Sequence, residues 1–314
     1  MKIFIAGATG VLGRATVPRL VAAGHEVHGV ARSPEKAAQL RAQGAEPLQG
    51  VDLFDPASVR TAVDGADAVV HMATSIPPVR KGWRTKAWAM NDRLRREGTP
   101  ILGTAAREAG VRRFVKESVC FFYVPQGDSW IDEDSPIDRN NFAAASLAAE
   151  DAAVAFGADD AGDAEGRVGV ALRFGLFYSH DARALEEGLA AAKLGVGPML
   201  GAPDAYQPSI HVDDAATAIV AALGAPGGYY NVADEPITKA EWNAAFFEAF
   251  GIDRKHRSVP KLALKAGGQK VDVLAASRRI SSQRFRTATG WAPNYPDAAV
   301  GLKAVSAAHR ERQS

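Results

Sequence analysis

One cysteine, Cys120, stands in the whole chain. No internal disulfide can form, which excludes a disulfide scaffold, and such sparing cysteine use fits a reducing compartment. Long apolar runs are missing too: none approaches the roughly 20 residues that a bilayer-crossing helix needs. The opening MKIFIAGATG is broken by glycine too early to form the apolar stretch of a signal peptide. The expectation is a cytoplasmic protein that uses no membrane. An excess of one charge is also absent, because 37 Lys and Arg face 36 Asp and Glu. That balance excludes a globally basic nucleic-acid binder. Nor is there an internal repeat or a low-complexity linker. What remains is a 314-residue chain, 47% hydrophobic, long enough for one large domain or two unequal ones.

The first half alternates short β-type runs with longer amphipathic ones. KIFIA (2–6), HEVHGVA (25–31), DAVVHMA (67–73), RRFVKESV (112–119) and VGVALRFG (168–175) read as strands. VLGRATVPRLVAAG (11–24) has helical spacing. SPEKAAQLRAQG begins on a cap candidate, Ser33, with Pro34 at the first helical position, and closes on Gly44. Residues 83–109 read as mainly helical, with Gly98 and Pro100 as interruptions. Alternation at this length predicts βαβ units and an α/β fold, a Rossmann-type doubly wound parallel sheet. After about Phe177 the pattern loosens. SIHVDD reads as a strand entering a helix, GYYNVAD as a further strand, and Trp242–Phe250 and Lys261–Lys265 as helices. The expected division is a nucleotide-binding domain over 1–176, rejoined by 205–235, and a smaller C-terminal substrate lobe over 177–204 and 236–314.

AGATGVLG (6–13) follows a strand and opens a helix. Gly7 permits the tight turn, Gly10 lets backbone approach a pyrophosphate, and Gly13 allows close helix–sheet packing. The pyrophosphate then sits on free N–H groups at the helix start. Strand before and helix after give this glycine triplet its weight. The expected contacts along the turn are Gly7, Thr9, Gly10, Val11, Leu12 and Gly13. An NAD site usually places an acid at the tip of the second strand. Here the tip reads Val30, Ala31, Arg32, Ser33. Arg32 can pair with a 2′-phosphate through its planar fork, and Ser33 can add a hydrogen bond or only cap the next helix. NADP is expected over NAD.

Together with GVDLFDPASV, GADAVVHMA, EGTPILGTAAREAGVRRFV, LRFGLFY, HVDDAATAI and YNVADEP, this turn resembles the extended short-chain dehydrogenase/reductase superfamily of the NAD-dependent epimerase/dehydratase type. The likeness runs in order over residues 1–235. It implies that Asp52, with Leu53, lies near the adenine, and that Ala73, flanked by Met72 and Thr74, lines the cofactor groove. It also implies chemistry through a tyrosine, a lysine four residues later that lowers the tyrosine's pKa and holds the ribose, and a serine or threonine on the neighbouring strand. Here the pattern fails. In NNFAAASLAAED (140–151), anchored on Glu150, the tyrosine position falls on Phe142 and the lysine position on Ser146. No Tyr-x-x-x-Lys occurs anywhere in the chain. The asparagine expected three residues before Gly98 is replaced by Arg95. The chain therefore resembles atypical members that bind the cofactor and use other proton donors, or reduce nothing.

Stand-ins lie at or after strand ends, where open α/β sheets bind ligands. They are Ser118, which would also touch the cofactor, with Val119 as the other candidate for the serine slot, then Tyr123, Tyr178 and His180. For each tyrosine, packing is the competing reading. Cys120 reads as a small buried side chain. His25 and His28 point to opposite strand faces, and His211 with Asp213 makes too few ligands, so no metal site is expected. Arg80, Lys81, Arg84, Lys86, Arg93, Arg95 and Arg96 read mainly as a solvated helix face or as an attractor of anionic substrate, with Arg95 the exception because it takes the asparagine position facing the cleft. Phe121, Phe122, Trp130 and Trp242 are pocket or core aromatics. The leading expectation is an NADP-dependent oxidoreductase, monomeric or homodimeric, acting on a small molecule. A sugar-nucleotide epimerase or dehydratase is the second, and a non-catalytic NADP-binding redox sensor the third.

Overall fold

A computed structural model describes residues 1–78, 84–140, 143–157, 166–254 and 269–313. Its centre is a seven-stranded, wholly parallel sheet. The strands are β1 (Lys2–Ala6), β2 (Glu26–Ala31), β3 (Glu46–Gln49), β4 (Ala68–His71), β5 (Arg113–Val119), β6 (Val168–Phe174) and β7 (Gly228–Val232). They lie in the order β3-β2-β1-β4-β5-β6-β7. The order reverses beside β1, which places the crevice for a ligand at the carboxyl ends of β1 and β4.

Each face buries a separate core, as two-sided burial of a parallel sheet demands. One core packs α1 (Val11–Ala22) and the Val212–Ala222 helix on Ile3, Ile5, Val70, Val115 and Leu172. Helix α2 (Pro34–Ala42) starts as its sequence predicts, with Ser33 accepting the Lys36 N–H at 3.4 Å and Pro34 in the first turn. On the opposite face, α3 (Pro56–Val63), α4 (Thr99–Glu108) and α5 (Ala144–Ala155) lie on Phe4, Val69 and Phe114. Asp55 and Pro56 start α3 as Ser33 and Pro34 start α2. Alternation along β5 sends Val115 to the first core and Phe114 to the second.

The run before α4 is helical from Thr85, but it changes type. A 3₁₀ turn (Thr85–Trp88) leads into Ala89–Arg93, then a π-turn (Leu94–Gly98), then α4. Pro100 has no N–H to return to Arg96, so the ladder widens by one residue and the Thr99 N–H reaches Leu94 O. The expected interruption at Gly98 and Pro100 is this π-turn.

Past β6, α6 (Arg183–Lys193), α8 (Lys239–Ala249) and α9 (Ala298–Glu311) share their own core with Tyr178, Trp242 and Phe246. Between α6 and α8 runs α7, the Val212–Ala222 helix already placed on α1. The helix expected at Lys261–Lys265, and Phe142 in the tyrosine slot, lie outside the described residues. No helix among the described residues is long and apolar enough to cross a membrane.

Candidate cofactor groove and active site

The glycine turn is built from close contacts. Gly7 has φ +93°, and a Cβ there would lie 2.5 Å from Met72 C and 2.6 Å from Ala73 N. A Cβ on Gly13 would stand 2.2 Å from Gly7 O, so α1 can only begin this close to β1 with glycine at that position. Gly10 is exposed and caps α1 without a side chain, leaving the first N–H groups of the helix open for an anion. Met72 is buried behind the turn, and Ala73 and Thr74 are half-buried along the same edge. Sequence-predicted Gly7, Thr9, Gly10, Val11, Leu12, Gly13, Met72, Ala73 and Thr74 thus come together.

At the tip of β2, Arg32 is exposed and engages no other described residue. Ser33 is partly committed to capping α2. The nearest acid, Glu35, has its carboxyl drawn below its usual range by the Ser33 hydroxyl and its own backbone N–H. Asp52 is exposed, and one of its oxygens accepts the Phe54 N–H at 2.9 Å, forming a local turn. Leu53 is half-buried beside it. Arg14, in the first turn of α1, is a contact sequence reasoning missed. Its Nε and Nη2 bind Asp181 Oδ2 at 3.0 and 2.7 Å, tying the glycine turn to the segment after Tyr178.

Beneath the groove, the sheet face toward α5 carries a buried polar layer. β-Register lines up His71 with Lys116, and Ser118 and Asn231 with Arg173. Arg173 donates Nε and Nη2 to Glu150 Oε2 at 3.0 and 2.8 Å and Nη1 to the Tyr123 hydroxyl at 2.6 Å. Tyr123 donates its own proton to Asn231 Oδ1 at 2.9 Å. Glu133 accepts the Asn231 N–H at 2.7 Å and meets Arg284 at the surface. Toward the groove, Arg95 donates Nη1 to Ser146 Oγ at 2.9 Å and lies 3.6 Å from Glu117, which Lys116 also approaches at 3.5 Å. Burial drives His71 well below its usual pKa, with Lys116 and Arg95 adding to the effect. Burial likewise brings Lys116 down to about 8. Burial raises Glu150 while Arg173 and the nearby Ser118 hydroxyl pull it back. Ser118 Oγ and Glu150 Oε1 nonetheless complete no hydrogen bond. The sequence signal for this layer was present: Lys116, Glu117 and Arg173 are charges inside otherwise apolar strand runs.

The expected substrate hydroxyl, Ser118, and the expected proton donors Tyr123, Tyr178 and His180 do not form one cluster. Ser118 and Tyr123 are fully buried in the polar layer. Tyr178 is buried in the core shared by α6, α8 and α9, donating to Asp234 Oδ2 at 2.6 Å and lying edge-on to Trp242 and His211. Burial lifts both tyrosines' pKa values far above the usual tyrosine range, and Asp234 lifts Tyr178 further. Val119 is half-buried at the strand end and His180 half-buried in the loop after Tyr178. Cys120 is buried, its thiol pushed up to about 12. Phe121, Phe122 and Trp242 are core, while Trp130 is half-exposed on a cavity of about 320 Å³ beyond β7. His28 pairs with Glu26, His211 caps α7, and no metal-binding cluster occurs among the described residues. Arg93 lies over the Phe54 ring and pairs with Glu97, while Arg80 and Lys81 are outside the described residues.

A parallel doubly wound sheet with an open, glycine-lined helix start at its switch point defines a nicotinamide-dinucleotide-binding Rossmann protein. Residues 3–233 match the model of the NAD dependent epimerase/dehydratase family, and the chain belongs to that family. It is 32% identical to the 3-diazoavenalumate denitrifying reductase of a Streptomyces species, over 96% of this chain and 99% of that one. It is 28% identical to the 2-alkyl-3-oxoalkanoate reductase of Shewanella oneidensis, over 89% of this chain and 73% of that one. Among solved structures it resembles human epimerase family protein SDR39U1 with NADPH, with a TM-score of 0.80 and 26% identity, covering 98% of this chain and 99% of that one. The protein is an NAD(P)-dependent oxidoreductase of this family.

Proposed function

We propose that the chain is an NADP-dependent oxidoreductase that transfers hydride between the nicotinamide and a small organic substrate beyond the carboxyl ends of β5 and β6. When bound, the cofactor supplies the hydride; the protein orients it and supplies the electrostatics. The NADP preference rests on Arg32, an exposed and unengaged guanidinium at the tip of β2, with the acid three residues on, Glu35, engaged by Ser33. The human relative SDR39U1, solved with NADPH, supports the same choice. In this reading Ser33 contributes to the 2′-phosphate and Asp52 and Leu53 border the adenine. Ser118 backs the substrate side of the groove, while Tyr123 and Tyr178 hold the frame rather than donate protons. Transfer to an activated double bond suits a site without a strong proton donor better than reduction of a ketone does. An epimerase must first oxidise a hydroxyl, so the missing tyrosine and lysine count against it. The burial of Ser118, Tyr123 and Tyr178 favours one second reading, a redox sensor that binds NADPH without turnover. Titration of wild-type protein and Arg32→Glu with NADPH and NADH tests the cofactor assignment. Wild type is expected to prefer NADPH by about tenfold or more, and Arg32→Glu to lose that preference. Equal affinities in both proteins would refute it.

A further inference from the structure

Two departures from the family pattern, Ser146 in the lysine slot and Arg95 in the asparagine slot, meet in space. We propose that Arg95 delivers, from the π-turn, the buried cation that α5 lacks, and that this guanidinium binds the ribose hydroxyls on the nicotinamide half of the cofactor. The inference rests on the NADP reading above.

Four observations carry it. Arg95 is 3% exposed, and its Nη1 reaches the Ser146 hydroxyl at 2.9 Å, so its charge stands where a lysine on α5 would begin. Its Nε has no partner, and Glu117 at 3.6 Å is too far for a close pair, so donors remain free in a site that tolerates none unpaired. The charges do not balance: Arg173 is matched by Glu150, but Arg95 and Lys116 share Glu117 alone. Burial, with Arg95 adding to it, brings Lys116 down to about 8. Finally, Asn91 lies one helical turn before Arg95, and its Oδ1 accepts the Ser75 N–H at 3.1 Å. This fixes the Arg95 helix against the segment that follows Ala73 and Thr74 in the groove. A guanidinium's fixed fork matches two adjacent oxygens, which vicinal ribose hydroxyls offer.

The test compares wild type, Arg95→Met, Ser146→Lys/Arg95→Ala and Arg95→Lys for binding of NADPH and of adenosine 2′,5′-bisphosphate, which lacks the nicotinamide half. Arg95→Met is expected to weaken NADPH binding at least tenfold and leave the bisphosphate unchanged, while Ser146→Lys/Arg95→Ala recovers most of the loss. NADPH binding by Arg95→Met within twofold of wild type would overturn the proposal. So would equal weakening of both ligands, which marks a structural role. If Arg95→Met does not fold, Ser146→Lys/Arg95→Ala decides: folded protein with NADPH affinity near wild type supports the proposal, and affinity tenfold or more lower overturns it. Wild type that binds neither nicotinamide nucleotide would instead overturn the functional reading beneath.

Discussion

Removing Glu150 should show how tightly the polar layer is coupled. Arg173 is 3% exposed and sends two donors to Glu150 Oε2 at 3.0 and 2.8 Å. Its remaining described hydrogen bond goes to Tyr123, with the rings of Phe122, Tyr123 and Tyr229 within 5.3 Å of the guanidinium. Glu150→Ala leaves that charge buried beside a neutral hydroxyl and aromatic faces. Breaking a buried pair from one side costs about 3–5 kcal/mol, against a total stability of about 5–15 kcal/mol. Glu150→Gln keeps one acceptor, so its cost should be smaller, about 2 kcal/mol. Glu150→Leu/Arg173→Leu removes both charges and should cost less than the sum of its single variants by at least about 2 kcal/mol. Urea unfolding at neutral pH, followed by circular dichroism, gives each value. A loss below about 1 kcal/mol for Glu150→Ala, or strict additivity in the double variant, would refute the claim that Arg173 depends on Glu150.

Gly10→Ala and Gly13→Ala should separate binding from folding. A Cβ at Gly10 meets only Gly7 O at 3.3 Å, so that variant should fold normally and lose roughly tenfold in NADPH affinity, about 1.4 kcal/mol; isothermal titration checks it. Gly13→Ala drives a Cβ into Gly7 O and Ala8, so thermal unfolding should show it destabilised even without cofactor. Asp234 is held well above the usual carboxyl range by burial and by Asp214 and Asp297, with Tyr178 pulling the other way. Because its folded pKa exceeds its unfolded value, its ionisation weakens the fold as pH rises from about 4. Asp234→Asn should therefore gain stability relative to wild type as pH goes from about 4 to about 7, and a constant difference in urea midpoint across that range would contradict this.

The nucleotide half was readable because its signals are local. The alternation of KIFIA, the glycine spacing of the turn and the Ser33–Pro34 start each show within a few residues of sequence, although β1 and Gly7 themselves contact the distant β4 and Met72. β3 was not read: it is four residues at the sheet edge with Pro47 as its buried position, too short for any period to show. The polar layer was illegible for a different reason. Arg95 meets Ser146 and Tyr123 meets Asn231 across 51 and 108 residues of sequence. The sequence could show that Lys116 and Arg173 were charges in apolar strands, but not which partners they had. Tyr178 followed the right strand, and only the packing of α8 and α9 shows that it turns into the core they share.

Hydride transfer with NADP is open to a direct assay. Purified protein and NADPH are mixed with a panel of carbonyl compounds and enones, and the reduced nicotinamide absorbance is followed. Tight NADPH binding is expected, with consumption by at least one activated double bond faster than by simple ketones. NADPH bound tightly but never consumed by any member would contradict catalysis and favour the sensor. Failure to bind NADPH at all would overturn the cofactor assignment and everything built on it.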